Sequence, residues 1–325
     1  MTLIRRLSYA TLALAFAQIV FGAIVRITGS GLGCGDHWPK CNGEWFPPHD
    51  RMDLIIEITH RYIAAGLTVA ILALVFVAWQ RRKEVGVSGP GGVLRPLFMA
   101  VGLVLLAAVF GAITVKVDLH ANVVAVHLTI AMALLAALAL TTVRAGGFGA
   151  QSLSKSTEVA TADLAGVNRT YRSARIAAVL GILVIIFGAL TANVVGANGS
   201  CQGFPLCRSV LTGGGPLHIH LTHRAIAFLL FFHLLGMVIA ARKRAQPLLL
   251  KKATWFAFGT VLMQLIVAAA LVEMYLPPVW RSLHQAVGTL IWLAVFTLMA
   301  LSRQASNYIA LAKTENASQA SLRQA

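Results

Sequence analysis

"EITHRYIAAGLTVAILALVFVAW", residues 57–79, opens on a glutamate, a histidine and an arginine and then runs without charge to Arg81. A helix needs about 20 apolar residues to cross roughly 30 Å of hydrocarbon, and this run has the length without any strand-like alternation. Unpaired backbone cannot face lipid, so such a span must be helical. The same reasoning predicts spans at about 7–25, 58–79, 97–115, 123–143, 175–194, 221–241, 253–274 and 282–302. A chain of 325 residues that is 58% hydrophobic and only 12% charged fits a membrane protein better than a soluble domain. Arg5 and Arg6 precede the first span as they would precede a signal sequence. Its apolar stretch is long for one, however, and "FGAIVRITGSG" (21–31) follows it without an evident small-x-small cleavage site.

The formal charge of +16 points to orientation rather than to nucleic acid. Arg26, Lys40, Arg51, Arg61, Lys116, Arg208, Arg224 and Arg281 fall at one end of the predicted spans. The other basic residues, Lys155 and Arg323 among them, fall at the end that holds both termini. The positive-inside rule then places both termini in the cytoplasm and the lipid bilayer around the spans.

"EITHR" returns as "HLTHR" at 220–224. The match extends on both sides. "FGAIVRITGSGLGCGDHWPKC" (21–41) parallels "FGALTANVVGANGSCQGFPLC" (187–207), and "VKVDLHANVVAVH" (115–127) has the spacing of "VEMYLPPVWRSLH" (272–284). The expected fold is an all-α integral membrane protein whose eight transmembrane helices form two tandem pseudo-symmetric four-helix bundles. Residues 1–150 make the first bundle, 151–174 a flexible cytoplasmic linker, 175–305 the second bundle and 306–325 a polar, disordered cytoplasmic tail.

The four cysteines obey the repeat, with Cys34 and Cys41 in the first outer loop and Cys201 and Cys207 in its counterpart. Outside the cell each local pair can close a disulfide that shapes a lid, whereas zinc prefers tighter spacing and four converging ligands. Of ten histidines, His37, His49, His120 and His218 belong to loops, and His233 has no repeat partner. Four others form a pattern. His60 and His127 lie near the outer ends of the second and fourth spans, and His223 and His284 lie at the matching places in the sixth and eighth. Diagonal helices of a bundle can present such a pair to one haem iron across an apolar core. Arg61 and Arg224, which follow two of these histidines, are candidate propionate contacts. Glu57 shares a helical face with His60, so it is expected to project toward the same ligand and act on a proton or a developing positive charge. His220 takes its place in the second half, which marks the first half for reaction and the second for holding a cofactor. A dinuclear metal site would want more carboxylates at membrane depth than Glu57 and Glu273 supply.

Taken together, "RITGSGLGC", "WPKC", "EITHR", "AVH", the second "THR" and "LHQ" resemble the haem A synthase family, cysteine-containing bacterial type, along essentially all eight spans. The resemblance implies an enzyme that oxidises a methyl group of haem O to the formyl group of haem A, for assembly of terminal oxidases. It implies Glu57 as the catalytic residue, His60 and His127 around the substrate haem O, and His223 and His284 as iron ligands of a haem b cofactor. Iron is then bound through haem only. Candidate partners are haem O, haem O synthase (the protohaem farnesyltransferase) and an electron acceptor, with no nucleic acid. The implied location is the bacterial inner (cytoplasmic) membrane. From the residues alone, two other readings compete: a non-catalytic di-haem b-type cytochrome in quinol-linked electron transfer, and a histidine-gated transporter.

Overall fold

Lipid selects for apolar side chains on the outside of a bundle and small ones where helices touch, and the chain obeys both demands. The structure, a computed structural model, describes residues 1–35, 38–153 and 161–324, with side chains through Thr314. Asp36, His37, Lys155 and the Arg323 side chain lie outside the described residues. Eight described helices are long and apolar enough to cross a membrane: α1 (Thr2–Ile27), α2 (Met52–Gln80), α3 (Leu94–Lys116), α4 (Ala121–Arg144), α5 (Leu164–Asn193), α6 (Gly215–Lys243), α7 (Leu248–Glu273) and α8 (Pro278–Gln324). Val69, Phe76, Ile176, Phe232 and Ile266 are exposed on their outer faces. Alanines such as Ala100, Ala137, Ala174 and Ala177 are fully or almost fully buried where backbones approach.

Contacts between elements close two rings. In the first, α1 packs on α2 and α4, and α3 packs on the same two. In the second, α5 packs on α6 and α8, and α7 packs on the same two. Each half is therefore a four-helix bundle, with α2 diagonal to α4 and α6 diagonal to α8. The bundles meet where α4 packs on α5 and α8, and α1 on α8. At that seam the Trp292 indole donates to the Met132 carbonyl at 2.8 Å, satisfying a polar group that lipid would leave stranded.

The turns that carry the paired helices use the same backbone in both halves. Asp118 and Leu119, between α3 and α4, have φ of 50° and 56°; Tyr275 and Leu276, between α7 and α8, have 61° and 62°. Leu119 N–H closes the first turn on Thr114 O at 2.8 Å, and Leu276 N–H closes the second on Leu271 O at 2.9 Å. Two consecutive non-glycine residues in the left-handed region are uncommon, so their recurrence at the matching place is specific.

Some boundaries differ from the sequence expectation. Helix α5 starts at Leu164, where the Asp163 carboxylate accepts from Ala165 N–H (3.0 Å) and Gly166 N–H (2.8 Å). That N-cap, ahead of the arginine-bearing turns at Arg169 and Arg172, extends the helix through much of the expected 151–174 linker. A single helical turn, Ala150–Leu153, lies earlier in the same connection. At the other terminus α8 stays helical to Gln324 in place of the expected disordered tail. The run from 306 onward contains no proline or glycine to break it.

Candidate functional site

Both cysteine pairs are bonded, Cys34 to Cys41 and Cys201 to Cys207. Each loop is fastened to the helix that follows it. In the first half, Glu57 is only 4% exposed; its Oε2 accepts from the Cys34 N–H at 2.8 Å and its Oε1 from Arg61 at 2.5 Å. Arg61 also donates to the Lys40 carbonyl at 2.7 Å. In the second half His220 stands in for the carboxylate. Its Nδ1 lies 2.8 Å from the Ala197 carbonyl, to which it donates, and its Nε2 accepts from Arg224 Nε at 3.0 Å. Arg224 in turn donates to the carbonyls of Gly203 (2.7 Å) and Cys201 (3.0 Å).

This arrangement changes two expectations. The Arg61 and Arg224 guanidinium groups, candidates for propionates, are spent on loop carbonyls one helical turn from residues 57 and 220. Both oxygens of Glu57 face the disulfide loop and its arginine, so its link to the site beneath runs through the loop rather than along the face it shares with His60. The Glu57 and His220 positions do the same mechanical work with different charge: Glu57 neutralises Arg61, whereas His220 leaves Arg224 positive.

Beneath the loops the four histidines come together in pairs. In the second bundle the ring centroids of His223 and His284 are 6.3 Å apart, with planes at 67°. Metal–imidazole bonds of about 2 Å on opposite sides of one ion put ring centres roughly 6 Å apart, so the pair fits one iron between its rings. The His223 Nδ1–H donates to Val184 O at 3.0 Å, which leaves the Nε2 lone pair for a metal. The Gln264 amide donates to the His284 carbonyl at 3.0 Å and lies 3.2 Å from its Nδ1, steadying that ring by the same edge. Gly188 clears the space behind His223: a Cβ there would meet His223 Cε1 at 2.9 Å.

In the first bundle, a Cβ on Gly22 would meet His60 Nε2 at 3.0 Å, and one on Gly111 would meet His127 Cε1 at 3.3 Å. Phe21 stacks on His60 with ring centroids 6.4 Å apart at 11°. Gln18 on α1 donates to the His60 carbonyl at 3.0 Å. His60 and His127 are close enough to interact electrostatically. The buried His127 Nδ1 has no aligned hydrogen bond among the described residues, although the Ala107 carbonyl acts on it electrostatically. The Nδ1 edge of His127 thus lies against α3, at Ala107 and Gly111, as the Nδ1 edge of His223 lies against α5. All four rings keep intermediate exposure deep between helices, as side chains bordering internal clefts do.

Residues 5–296 match the family model described as COX15-CtaA, cytochrome oxidase assembly protein. The chain belongs to this family. Among its relatives is the haem A synthase of Bacillus licheniformis, 28% identical over 264 residues that cover 80% of this chain and 81% of that protein. The haem A synthase of Geobacillus kaustophilus is 29% identical over 246 residues, covering 74% and 73%. With eight membrane-competent helices, this member of the COX15-CtaA family is a multi-pass membrane protein.

Within this COX15-CtaA chain, two kinds of site residue escaped sequence reasoning. Gly22 and Gly188 were readable in principle, because "FGA" recurs at 21–23 and 187–189, but only packing shows that both back onto histidines. Gln264 gives no repeat signal, since the matching place in α3 holds Ala107. Of the other histidines, His233 Nε2 lies 2.9 Å from the Ser173 carbonyl, and His120 occupies the N-cap position of α4 without a side-chain cap bond.

Proposed function

We propose that the chain is a haem A synthase: it oxidises the methyl group of haem O to the formyl group of haem A. Family membership along nearly the whole chain supports the activity. The observation that carries the division of labour is the His223–His284 pair, 6.3 Å between centroids and steadied from both sides. A permanent cofactor wants ligands held in place before it arrives, and these two are held by a carbonyl and an amide. His60 and His127, whose rings have no aligned hydrogen bond among the described residues, are less tightly held and suit a substrate that must enter and leave.

In this reading residues 1–150 hold the substrate haem O and residues 175–305 hold haem b, with the cysteine loops on the outer side of a bacterial cytoplasmic membrane and both termini inside. Haem b supplies one-electron redox capacity when bound. The chain's own residues do the rest. His223 and His284 fix the cofactor; Gly22 and Gly188 let an imidazole lie against a helix backbone. Glu57, through Cys34 N–H and Arg61, ties the first disulfide loop down over the substrate pocket and excludes water from it. Its carboxylate is also placed, through that loop, to hold a proton or balance a positive charge beside the pocket. Candidate partners are haem O synthase as the source of substrate and an electron acceptor on the loop side.

Haem extracted from the purified chain and separated by chromatography tests the reading. Haem O or haem A beside haem b is the expected result. Haem b alone would make the chain a di-haem cytochrome, and no haem at all would make it a transporter. Glu57→Ala is expected to keep haem while conversion of haem O stops; wild-type yields of haem A from that variant would refute its role.

A further inference from the structure

Two half-buried guanidinium groups at the bundle seam have no carboxylate partner among the described residues. Arg26, on the last turn of α1, reaches across to the second bundle, where its Nη1 lies 3.3 Å from the Ala192 carbonyl of α5. Arg281, on the first turn of α8, is close enough to repel it. Both residues have intermediate exposure. Bringing two like charges together, partly out of water and without an acid, is costly unless an anion completes the set.

Helical spacing says where that anion sits. On α5, Val184, Gly188 and Ala192 succeed one another at four-residue intervals, so they share one face. Val184 O accepts from His223, Gly188 backs onto His223, and Ala192 O accepts from Arg26. On α8, Arg281 and His284 are three apart and share a face in the same way. Arg26 and Arg281 therefore stand about one helical turn, roughly 5 Å, beyond the His223–His284 pair toward the cysteine loops. The propionate edge of a haem held by that pair could fall at this depth. Arg224, left positive by its neutral partner His220, adds a third cation at the same end. The first bundle lacks the arrangement, because Glu57 neutralises Arg61 and Val124 occupies the place that matches Arg281.

We infer that Arg26 and Arg281 form a carboxylate site that binds the propionates of the haem held by His223 and His284, taking the role that sequence reasoning gave to Arg61 and Arg224. The inference rests on the haem-binding reading above. A lipid phosphate presents similar chemistry, but the pair's depth beside the ligand histidines, between two bundles, favours the propionates.

The test uses the detergent-purified full chain loaded with haem b, in wild-type form and as Arg26→Gln, Arg281→Gln and the double variant. Arg26→Lys serves as a charge-keeping version, and Arg208→Gln, an exposed arginine paired with Glu273, as a control. Transfer of haem to excess apomyoglobin is expected to speed up about tenfold or more for each guanidinium lost, since charge-assisted hydrogen bonds are worth at least that much. The reduction potential should fall, because a cation beside the haem disfavours the ferric state. Arg26→Lys should keep most of the potential, and Arg208→Gln should behave as wild type. Reconstitution with the dimethyl ester of haem, whose propionates carry no charge, should abolish the difference in transfer rate between wild type and variants. Unchanged transfer and potential in the double variant overturn the inference, as does a rate difference that persists with the ester. So does a variant that keeps its haem normally but loses co-purifying anionic phospholipid, which would make this a lipid site. A wild-type chain that carries no haem overturns the functional reading and this one together; haem-loaded wild type with unaltered variants overturns this one alone.

Discussion

Replacing Gly188 with alanine isolates the contact between helix α5 and the His223 ring. In an exposed helix interior the change is favourable, because alanine is the better helix former by about 0.8–1.0 kcal/mol. Here the added Cβ would stand 2.9 Å from His223 Cε1 and 3.3 Å from Nδ1. Carbon atoms prefer about 3.5–4.0 Å, so the ring must retreat by something over half an ångström. That movement pulls Nδ1 from the Val184 carbonyl, now 3.0 Å away, at a net cost of about 1 kcal/mol. Overpacking elsewhere adds typically 1–3 kcal/mol. Metal sites tolerate ligand distances only to within about 0.2 Å, so the retreat moves the nitrogen out of bonding range. Occupancy of the second site should fall at least about tenfold, a factor that needs only about 1.4 kcal/mol. The assay is haem b per chain by pyridine haemochrome, with Gly259→Ala as the matched control, since nothing lies within 4 Å of a Cβ there. Full occupancy in Gly188→Ala with an unaltered Soret band would show that His223 is not positioned by this contact.

Two further substitutions probe the scaffold apart from the site. Asp163→Ala removes the cap that accepts two N–H groups at the start of α5 and should lower stability by about 1 kcal/mol, read as a lower melting temperature with haem content unchanged. Trp292→Phe deletes the 2.8 Å bond to the Met132 carbonyl at the seam of the bundles. The lost bond should cost about 1 kcal/mol net, since the carbonyl keeps its partner within α4, seen as easier separation of the two halves by limited proteolysis; an unchanged digestion pattern would mean that the seam is held by apolar packing alone.

Membrane spans announce themselves because lipid imposes one simple rule on some twenty residues at a time, and the eight runs fall where the eight helices lie. Their ends are less legible. Helix α5 begins at Leu164 because one carboxylate caps it, a local event that average hydropathy does not register. The four histidines were legible for another reason: a spacing that recurs between halves stands out even when each short motif is commonplace. What the repeat could not give was direction. Glu57 and His60 are three apart and share a helical face, yet the carboxylate is turned to the Cys34 N–H and Arg61, because a buried carboxylate goes to the nearest donors.

The same limit applies to the arginines. Their places in the sequence put Arg61 and Arg224 next to histidines, but loop carbonyls claim both guanidinium groups. Among the described residues, two arginines without a carboxylate partner, Arg26 and Arg281, lie instead at the seam, from α1 and α8, far apart in the sequence and unrelated by the repeat. Charge distinguishes the surroundings of the two histidine pairs. Each half has two imidazoles and a disulfide loop fastened by an arginine. In the first, a carboxylate balances that arginine; in the second, a neutral histidine leaves it positive and two more cations gather at the seam. A dianionic cofactor should be retained more firmly where the field is positive. A substrate that must be released is better served where the field is balanced. On the function proposed above, Glu57 would act on the first pocket through the loop it fastens and through its charge, which would keep that site from becoming a second permanent home for haem.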